Sequence, residues 1–201
     1  LAAPQAEFNL AWKDGSLAQT RSAELGPLSL TATGRFADQV LTLNDARLSG
    51  ENGLAMTANG TAGLAAGAPL AITAAFNQLP ASLANVVRPD LAASGLLNGS
   101  VTASGTLQAP NVSYDISLAG GSTAQTRQAS VNAISARARG TFASGLLTLE
   151  ETVMNDPSGL SVTAKGRVQL ADQQPPALDV NATIAALPAN LANAFLPDLG
   201  A

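Results

Sequence analysis

Apolar and polar residues alternate with a period of two along most of the chain, the pattern of strands that show one face to apolar surroundings and the other to water. The clearest stretch sets Leu54, Met56, Ala58, Gly60, Ala62 and Leu64 against Ala55, Thr57, Asn59, Thr61 and Gly63. A second sets Leu160, Val162, Ala164, Gly166, Val168 and Leu170 against Ser161, Thr163, Lys165, Arg167 and Gln169. The same phase predicts strands through Leu28, Leu30, Ala32, Gly34 and Phe36, through Leu70, Ile72, Ala74 and Phe76, and through Leu97, Gly99, Val101, Ala103, Gly105 and Leu107. It continues through Val112, Tyr114, Ile116 and Leu118 and through Leu178, Val180, Ala182 and Ile184. Leu41 and Leu43 fall out of phase with Ala46 and Leu48, which predicts a bulge. Asn52-Gly53 and Ser158-Gly159 are turn dipeptides between apolar runs, so neighbouring strands are expected to pair antiparallel through hairpins. Only residues 80–87 and 188–195 read as helix. Each opens with proline at a first helical position, lacks glycine, and brings Leu83 near Val87 or Leu191 near Phe195, before Pro89 or Pro197 ends it.

A shift of about 106 positions lays residues 1–64 on residues 107–170 without a gap. Ala18-Gln19-Thr20-Arg21 meets Ala124-Gln125-Thr126-Arg127, and Gly34, Phe36, Leu41 and Leu43 meet Gly140, Phe142, Leu147 and Leu149. After two extra residues near Pro175-Pro176, Leu79-Pro80-Ala81 meets Leu187-Pro188-Ala189, and Pro89-Asp90-Leu91 returns as Pro197-Asp198-Leu199. Two tandem repeats are therefore expected, residues 1–106 and residues 107–201. The first carries its short helix near 80–87 and a closing strand near 95–107, and the second stops after its helix near 188–195. At roughly seven strands per repeat and a spacing of about 4.8 Å, the sheet would be about 65 Å long and 30 Å wide.

Composition narrows the chemistry. At 46% hydrophobic and 12% charged residues the chain is a folding one rather than a disordered one. Ten Lys+Arg spread singly, a net charge of −4, one Trp and one Tyr leave nothing from which to build a phosphate-tracking or base-stacking surface, so no nucleic acid is expected. With no His and no Cys, the commonest general base and metal ligand and every thiolate site are missing; no enzyme, metal or cofactor is expected. The remaining candidates read as structure. Glu150 and Glu151 fall on opposite faces of a strand, near a solvated strand end; Asp90 and Asp198 serve turns; Arg137 and Arg139 share a polar face; Gly120-Gly121 lacks the lysine of a phosphate loop. The most apolar stretch, residues 64–76, is broken by Gly67 and Pro69, so no membrane span or signal peptide is expected. The chain, opening on Leu1, reads as a segment of something longer.

A sheet with one apolar face must cover it. A sandwich or closed barrel would bury two such faces on each other, whereas a trough would leave a lining free for an extended apolar ligand. The small inward residues Ala58, Gly60, Ala103, Gly105, Ala164 and Gly166 fit either a crease in a trough or close contacts between two sheets.

The run from Gly95 through Leu96, Leu97, Asn98 and Gly99 to Pro110, with Tyr114, Ile116 and Leu118 after it, resembles the recurring unit of the TamB family. So does Gly34-Arg35-Phe36 with Leu41-Thr42-Leu43, together with its copy at residues 140–149. The family is the inner-membrane-anchored component of the translocation and assembly module of Gram-negative bacteria, similar to AsmA-like proteins. The resemblance implies an all-β fold: a long antiparallel sheet curled lengthwise into a taco-like open groove in the periplasm. It further implies a function in carrying phospholipid acyl chains between inner and outer membrane and supporting outer-membrane assembly. Partners would be neighbouring repeats of the same chain and, through other parts of the full protein, the Omp85-type partner TamA. The lining would then be Leu28, Leu30 and Phe36; Leu54, Met56 and Leu64; Leu70, Ile72 and Phe76; Val101 and Leu107; and Val112, Tyr114, Ile116 and Leu118. From the second repeat it would include Phe142; Leu160, Val162, Val168 and Leu170; and Leu178, Val180 and Ile184. Two other classes stay open: a periplasmic scaffold or chaperone for outer-membrane proteins or autotransporters that works by strand pairing, and a secreted β-repeat with a dry core.

Overall fold

A computed structural model describes residues 5–16, 25–128, 131, 133–171 and 174–186. The chain is all-β. Strands β1 (Ala6–Gly15), β2 (Leu28–Ala37), β3 (Val40–Ser49), β4 (Ala55–Gly63), β5 (Pro69–Pro80) and β6 (Ser94–Thr106) are followed by β7 (Pro110–Ser122), β8 (Ile134–Ala143), β9 (Leu146–Asn155), β10 (Ser161–Ala171) and β11 (Gln174–Ala186). They form one 11-stranded sheet in chain order, antiparallel throughout, with β1 and β11 as its edges. Among the described residues the strands form neither a closed barrel nor a two-sheet sandwich. Eleven strands make a sheet about 50 Å long at the usual spacing, shorter than the sequence-based count implies.

Two hairpins use two-residue turns of positive φ, the geometry whose twist matches the flanking strands. Asp38 and Gln39 (φ 51° and 61°) join β2 to β3, and Ser144 and Gly145 (φ 51° and 75°) join β8 to β9. The expected turn dipeptides also connect antiparallel neighbours, in longer loops. Asn52-Gly53 lies in a single 3-10 turn, Glu51–Gly53, and Ser158-Gly159 follows Asp156 between β9 and β10. There the Asp156 carboxylate accepts hydrogen bonds from the Ser158 hydroxyl at 2.6 Å and the Leu160 N–H at 2.8 Å. Those bonds, that of Ser158 foremost, hold its pKa below the ordinary carboxylate value. A folded-state pKa below the unfolded one contributes stability above about pH 4 that is lost as the pH falls through the lower folded value. Asp156→Ala is therefore expected to lower the urea midpoint at pH 7 and to match the parent chain near pH 2. A deficit that is equal at both pH values would show that the carboxylate charge contributes nothing.

The bulge expected after Leu43 is present: Gly34 pairs with Leu43 and Thr33 with Asp45, so Asn44 is the extra residue. The same irregularity recurs in β9, where Gly140 pairs with Leu149 and Arg139 with Glu151, leaving Glu150 extra. It corrects the expectation for the two glutamates. They sit in mid-strand rather than at a strand end, and the extra residue breaks the alternation that would have sent them to opposite faces. Residues 80–87 are helical as expected, a 3-10 turn Ala81–Leu83 running into α1 (Ala84–Val87), but Pro80 is the extended residue before the turn (φ −63°, ψ 127°) and still pairs with Leu96. Asn85 ties this excursion down by donating to the Ala93 carbonyl (3.0 Å) and accepting from the Ala93 N–H (2.7 Å). Helix α2 (Ala124–Gln128), which the apolar pattern does not announce, is entered through reciprocal bonds between Thr123 and Thr126. The second expected helix, residues 188–195, lies outside the described residues.

The larger buried side chains lie near the strand ends, while Ala32 and the glycines Gly34 and Gly140 are buried in mid-strand. Leu28 and Leu54 are 4% and 5% exposed, both packing beside Gly50. Val131, Ile134 and Leu160 form the equivalent cluster beneath the β9–β10 connection, with Ala136, Met154 and Val162 against it. The total accessible surface is 12320 Å², against about 8,700 Å² for a compact protein of this mass. Among the described residues no second layer of strands or helices lies on the sheet.

An uncovered apolar face as the candidate functional site

The strand register turns the alternation along each strand into rows across the sheet. One row reads Leu10, Ala32, Ala46, Ala58, Ala74, Val101, Tyr114, Gly140, Leu149, Gly166 and Val180. The row beside it runs Phe8, Gly34, Leu43, Gly60, Ile72, Ala103, Val112, Phe142, Leu147, Val168 and Leu178. On the other side lies Trp12, Leu30, Leu48, Met56, Phe76, Gly99, Ile116, Ala138, Thr152, Ala164 and Ala182. Shorter outer rows carry Phe36, Leu41, Ala62 and Leu70 at one border and Leu79, Leu97, Leu118, Ala136, Met154, Val162 and Ile184 at the other. These rows hold no Asp, Glu, Lys or Arg. Their one hydroxyl besides that of Tyr114 belongs to Thr152, whose Oγ1 is buried and has no hydrogen-bond partner.

Cross-strand neighbours half-cover one another within the rows, each pair contributing about 0.2–1 kcal/mol. Aromatic rings lie over glycines where the strands bulge: Phe8 over Gly34 and Tyr114 over Gly140. The Tyr114 hydroxyl donates to the Thr148 carbonyl at 3.1 Å, so the ring is anchored across two strands. Burial raises its pKa, with a further push from the Glu150 charge.

The opposite face is polar. Arg137 grips Asp115 with two hydrogen bonds, at 3.0 and 2.6 Å, and Arg139 pairs with Glu151 at 3.0 Å. Asp115 is held below the ordinary carboxylate pKa, chiefly by the hydrogen bond from Arg137. Glu150 lines a shallow depression on this side with Ser100, Thr102, Ser113, Asp115 and Arg139, so both glutamates stand on the polar face. Glu151 is paired with Arg139, and Glu150 is exposed to water. Among the described residues no group of three or more His, Cys, Asp or Glu could hold a metal ion, and no helix is long and apolar enough to cross a membrane.

Of the residues singled out in the sequence, Leu30, Phe36, Met56, Leu70, Ile72, Phe76, Val101, Val112, Tyr114, Ile116, Leu118, Phe142, Val162, Val168, Leu178, Val180 and Ile184 share this one face. Leu28, Leu54 and Leu160 are buried where the connections fold back, and present little surface. Leu64 lies just past β4, Leu107 in the β6–β7 turn, and Leu170 near the end of β10; all three are exposed. Sequence reading missed Phe8, Leu10 and Trp12 of β1, although they alternate with Glu7, Asn9, Ala11 and Lys13 as cleanly as any strand. It also missed Leu147, Leu149 and Met154, because the extra residue in β9 interrupts the period. Compared with protein-family models, with curated proteins and with solved structures, the chain matches none.

Proposed function

We propose that the chain is a segment of a hydrophobic groove that carries phospholipid acyl chains through the periplasm between inner and outer membrane. The observation that carries this reading is the apolar face: rows running from β1 to β11 with no charged residue in them and, among the described residues, no second layer over them. Sheets coil with their own twist, and bulges sharpen the bend. Here bulges recur at Asn44 in β3 and Glu150 in β9, beside the glycines of the same rows, which supports a lengthwise curl into a taco-like trough. The tandem repeat of about 106 residues is supported by the pairing as well as by the sequence. Phe8 faces Gly34 as Tyr114 faces Gly140, and Met56 faces Phe76 as Val162 faces Ile184.

In this reading acyl chains lie along the rows, each methylene removed from water being worth about 0.8 kcal/mol, while head groups stay in water at the open mouth. With no charge in the rows nothing there pins a head group, and near-equivalent sites follow one another along the sheet, so a lipid can step from one to the next. Neighbouring repeats would lengthen the groove. An outer-membrane partner of the TamA type would be met by other parts of the parent protein, as the TamB-like motifs imply, and no enzymatic step is needed.

The test places a photo-crosslinking amino acid at Ile72 or at Thr73 in living Gram-negative cells. Phospholipid should attach at Ile72, which stands in the apolar row, and not at Thr73, its neighbour on the polar face. Equal labelling at both, or attachment of outer-membrane protein strands and no lipid at either, would replace this reading with the strand-pairing scaffold, for which the open edges β1 and β11 are the natural sites.

A further inference from the structure

The sheet has two long borders, and they are built differently. Along one, short turns join the strands, at residues 38–39, 64–68, 107–109 and 144–145; along the other run longer connections, at residues 50–54, 81–93, 123–133 and 156–160. The longer connections fold back onto the apolar face. Val131, which lies in the connection between β7 and β8, packs with Ile134 and Leu160 on Ala136, Met154 and Val162, the outermost row of the face on that side. Leu28 and Leu54 close the same border beside Gly50. The short-turn border stays open. There Leu64, Leu107 and Leu170 continue the apolar phase of β4, β6 and β10 and are 53%, 46% and 48% exposed, whereas Leu70, one step inward, is buried.

Charge divides the borders in the same way. The described residues of the longer connections include Glu51, Arg88, Asp90, Arg127 and Asp156, and both arginines are engaged. Arg88 holds Asp90 at 2.8 Å, and Arg127 donates to the Ala92 carbonyl at 3.0 Å and to the Ser122 hydroxyl at 2.7 Å. A phosphate pushed under that wall would lose its water with neither arginine left to replace it. The short turns carry Asp38 as their one charged residue, so a head group beyond them keeps its water and meets no cation.

We infer that a phospholipid on this face lies along the strands, its tail ends against the wall of longer connections and its head group beyond the leucine rim, and that its acyl chains are recognised while its head-group charge is not. The inference rests on the lipid reading proposed above and adds to it the side of entry and the class of lipid. The dimensions agree. Leu70 to Phe76 spans about 20 Å along β5, and one acyl layer of a bilayer is about 15 Å thick, half of the hydrocarbon core.

Trp12, the single tryptophan of the chain, stands beside Leu30 in the row next to the walled border and reports on the tail end with no substitution. The probe is phosphatidylcholine with one nitroxide, either on the choline or at the far end of an acyl chain. The tail-labelled lipid should quench Trp12 fluorescence at least three-fold more than the head-labelled one. In the Trp12→Phe background, Leu64→Trp or Leu107→Trp, each replacing an exposed rim leucine, should show the opposite order. Phosphatidylglycerol, with its net negative head group, should compete within three-fold of phosphatidylcholine. Equal quenching of Trp12 by both lipids, or stronger quenching by the head-labelled one, overturns the orientation and leaves the lipid reading standing. A competition difference beyond three-fold overturns the indifference to head-group charge. No quenching by either lipid at Trp12 or at the rim overturns the inference together with the lipid reading on which it rests.

Discussion

Gly60→Val is expected to lower the stability of the sheet by about 3–5 kcal/mol, the combined effect of a disallowed backbone and an overfilled site. Gly60 has φ 140°, a region that L side chains rarely adopt, and a Cβ there would fall on the carbonyl oxygen of Ala71 and within 2.7 Å of the Ile72 Cα. Both obstacles are backbone of the neighbouring strand, so neither can swing aside. The control is Gly67→Ala in the β4–β5 connection, where φ is also positive (74°) but nothing lies within 4 Å of the added carbon. It should cost only about 1 kcal/mol. Urea unfolding of the two variants separates conformational cost from collision, and similar losses would mean that β4 and β5 are not in this close register.

Val101→Glu is expected to cut phospholipid attachment at Ile72 at least ten-fold. Val101 stands near the middle of the sheet, facing Ala74 on one side and Tyr114 on the other. A carboxylate there must either keep its water, which excludes an acyl chain, or be desolvated at a cost of several kcal/mol, and about 1.4 kcal/mol already amounts to ten-fold. The side chain is only partly buried, so the sheet itself should lose no more than about 2 kcal/mol. Thr102→Glu puts the same charge on the other face, beside Thr73 and Ser113, and should leave attachment within two-fold. Equal losses from both would indicate a general disturbance of the sheet and not a lined face.

Much of this arrangement was legible in the chain. Alternation alone picks out which side of β2, β4, β5, β6, β7, β10 and β11 is apolar, and the loss of phase after Leu43 marks the bulge at Asn44. What it left out has local causes. The Asp38-Gln39 turn contains no glycine or proline to announce it, yet both residues adopt positive φ. Helix α2 is set by hydroxyl capping between Thr123 and Thr126, not by an apolar stripe. Counting by twos puts Glu150 and Glu151 on opposite faces because it fails across an extra residue that only the partner strand reveals. The choice between a buried and an open apolar face was also beyond the pattern, since alternation is the same in both. Pairing between the first and last strands decides it, and among the described strands β1 and β11 are not paired with each other.

The order of the strands has a consequence for how the molecule comes into being. Every ladder joins a strand to the one made immediately before it, so no contact waits for a distant part of the sequence. A chain emerging N-terminus first can close β1 on β2 while β11 is still unmade, then add strands in turn onto a growing template. Such a sheet assembles like a zipper rather than by collapse, and its length can increase by further repeats without slowing any single step.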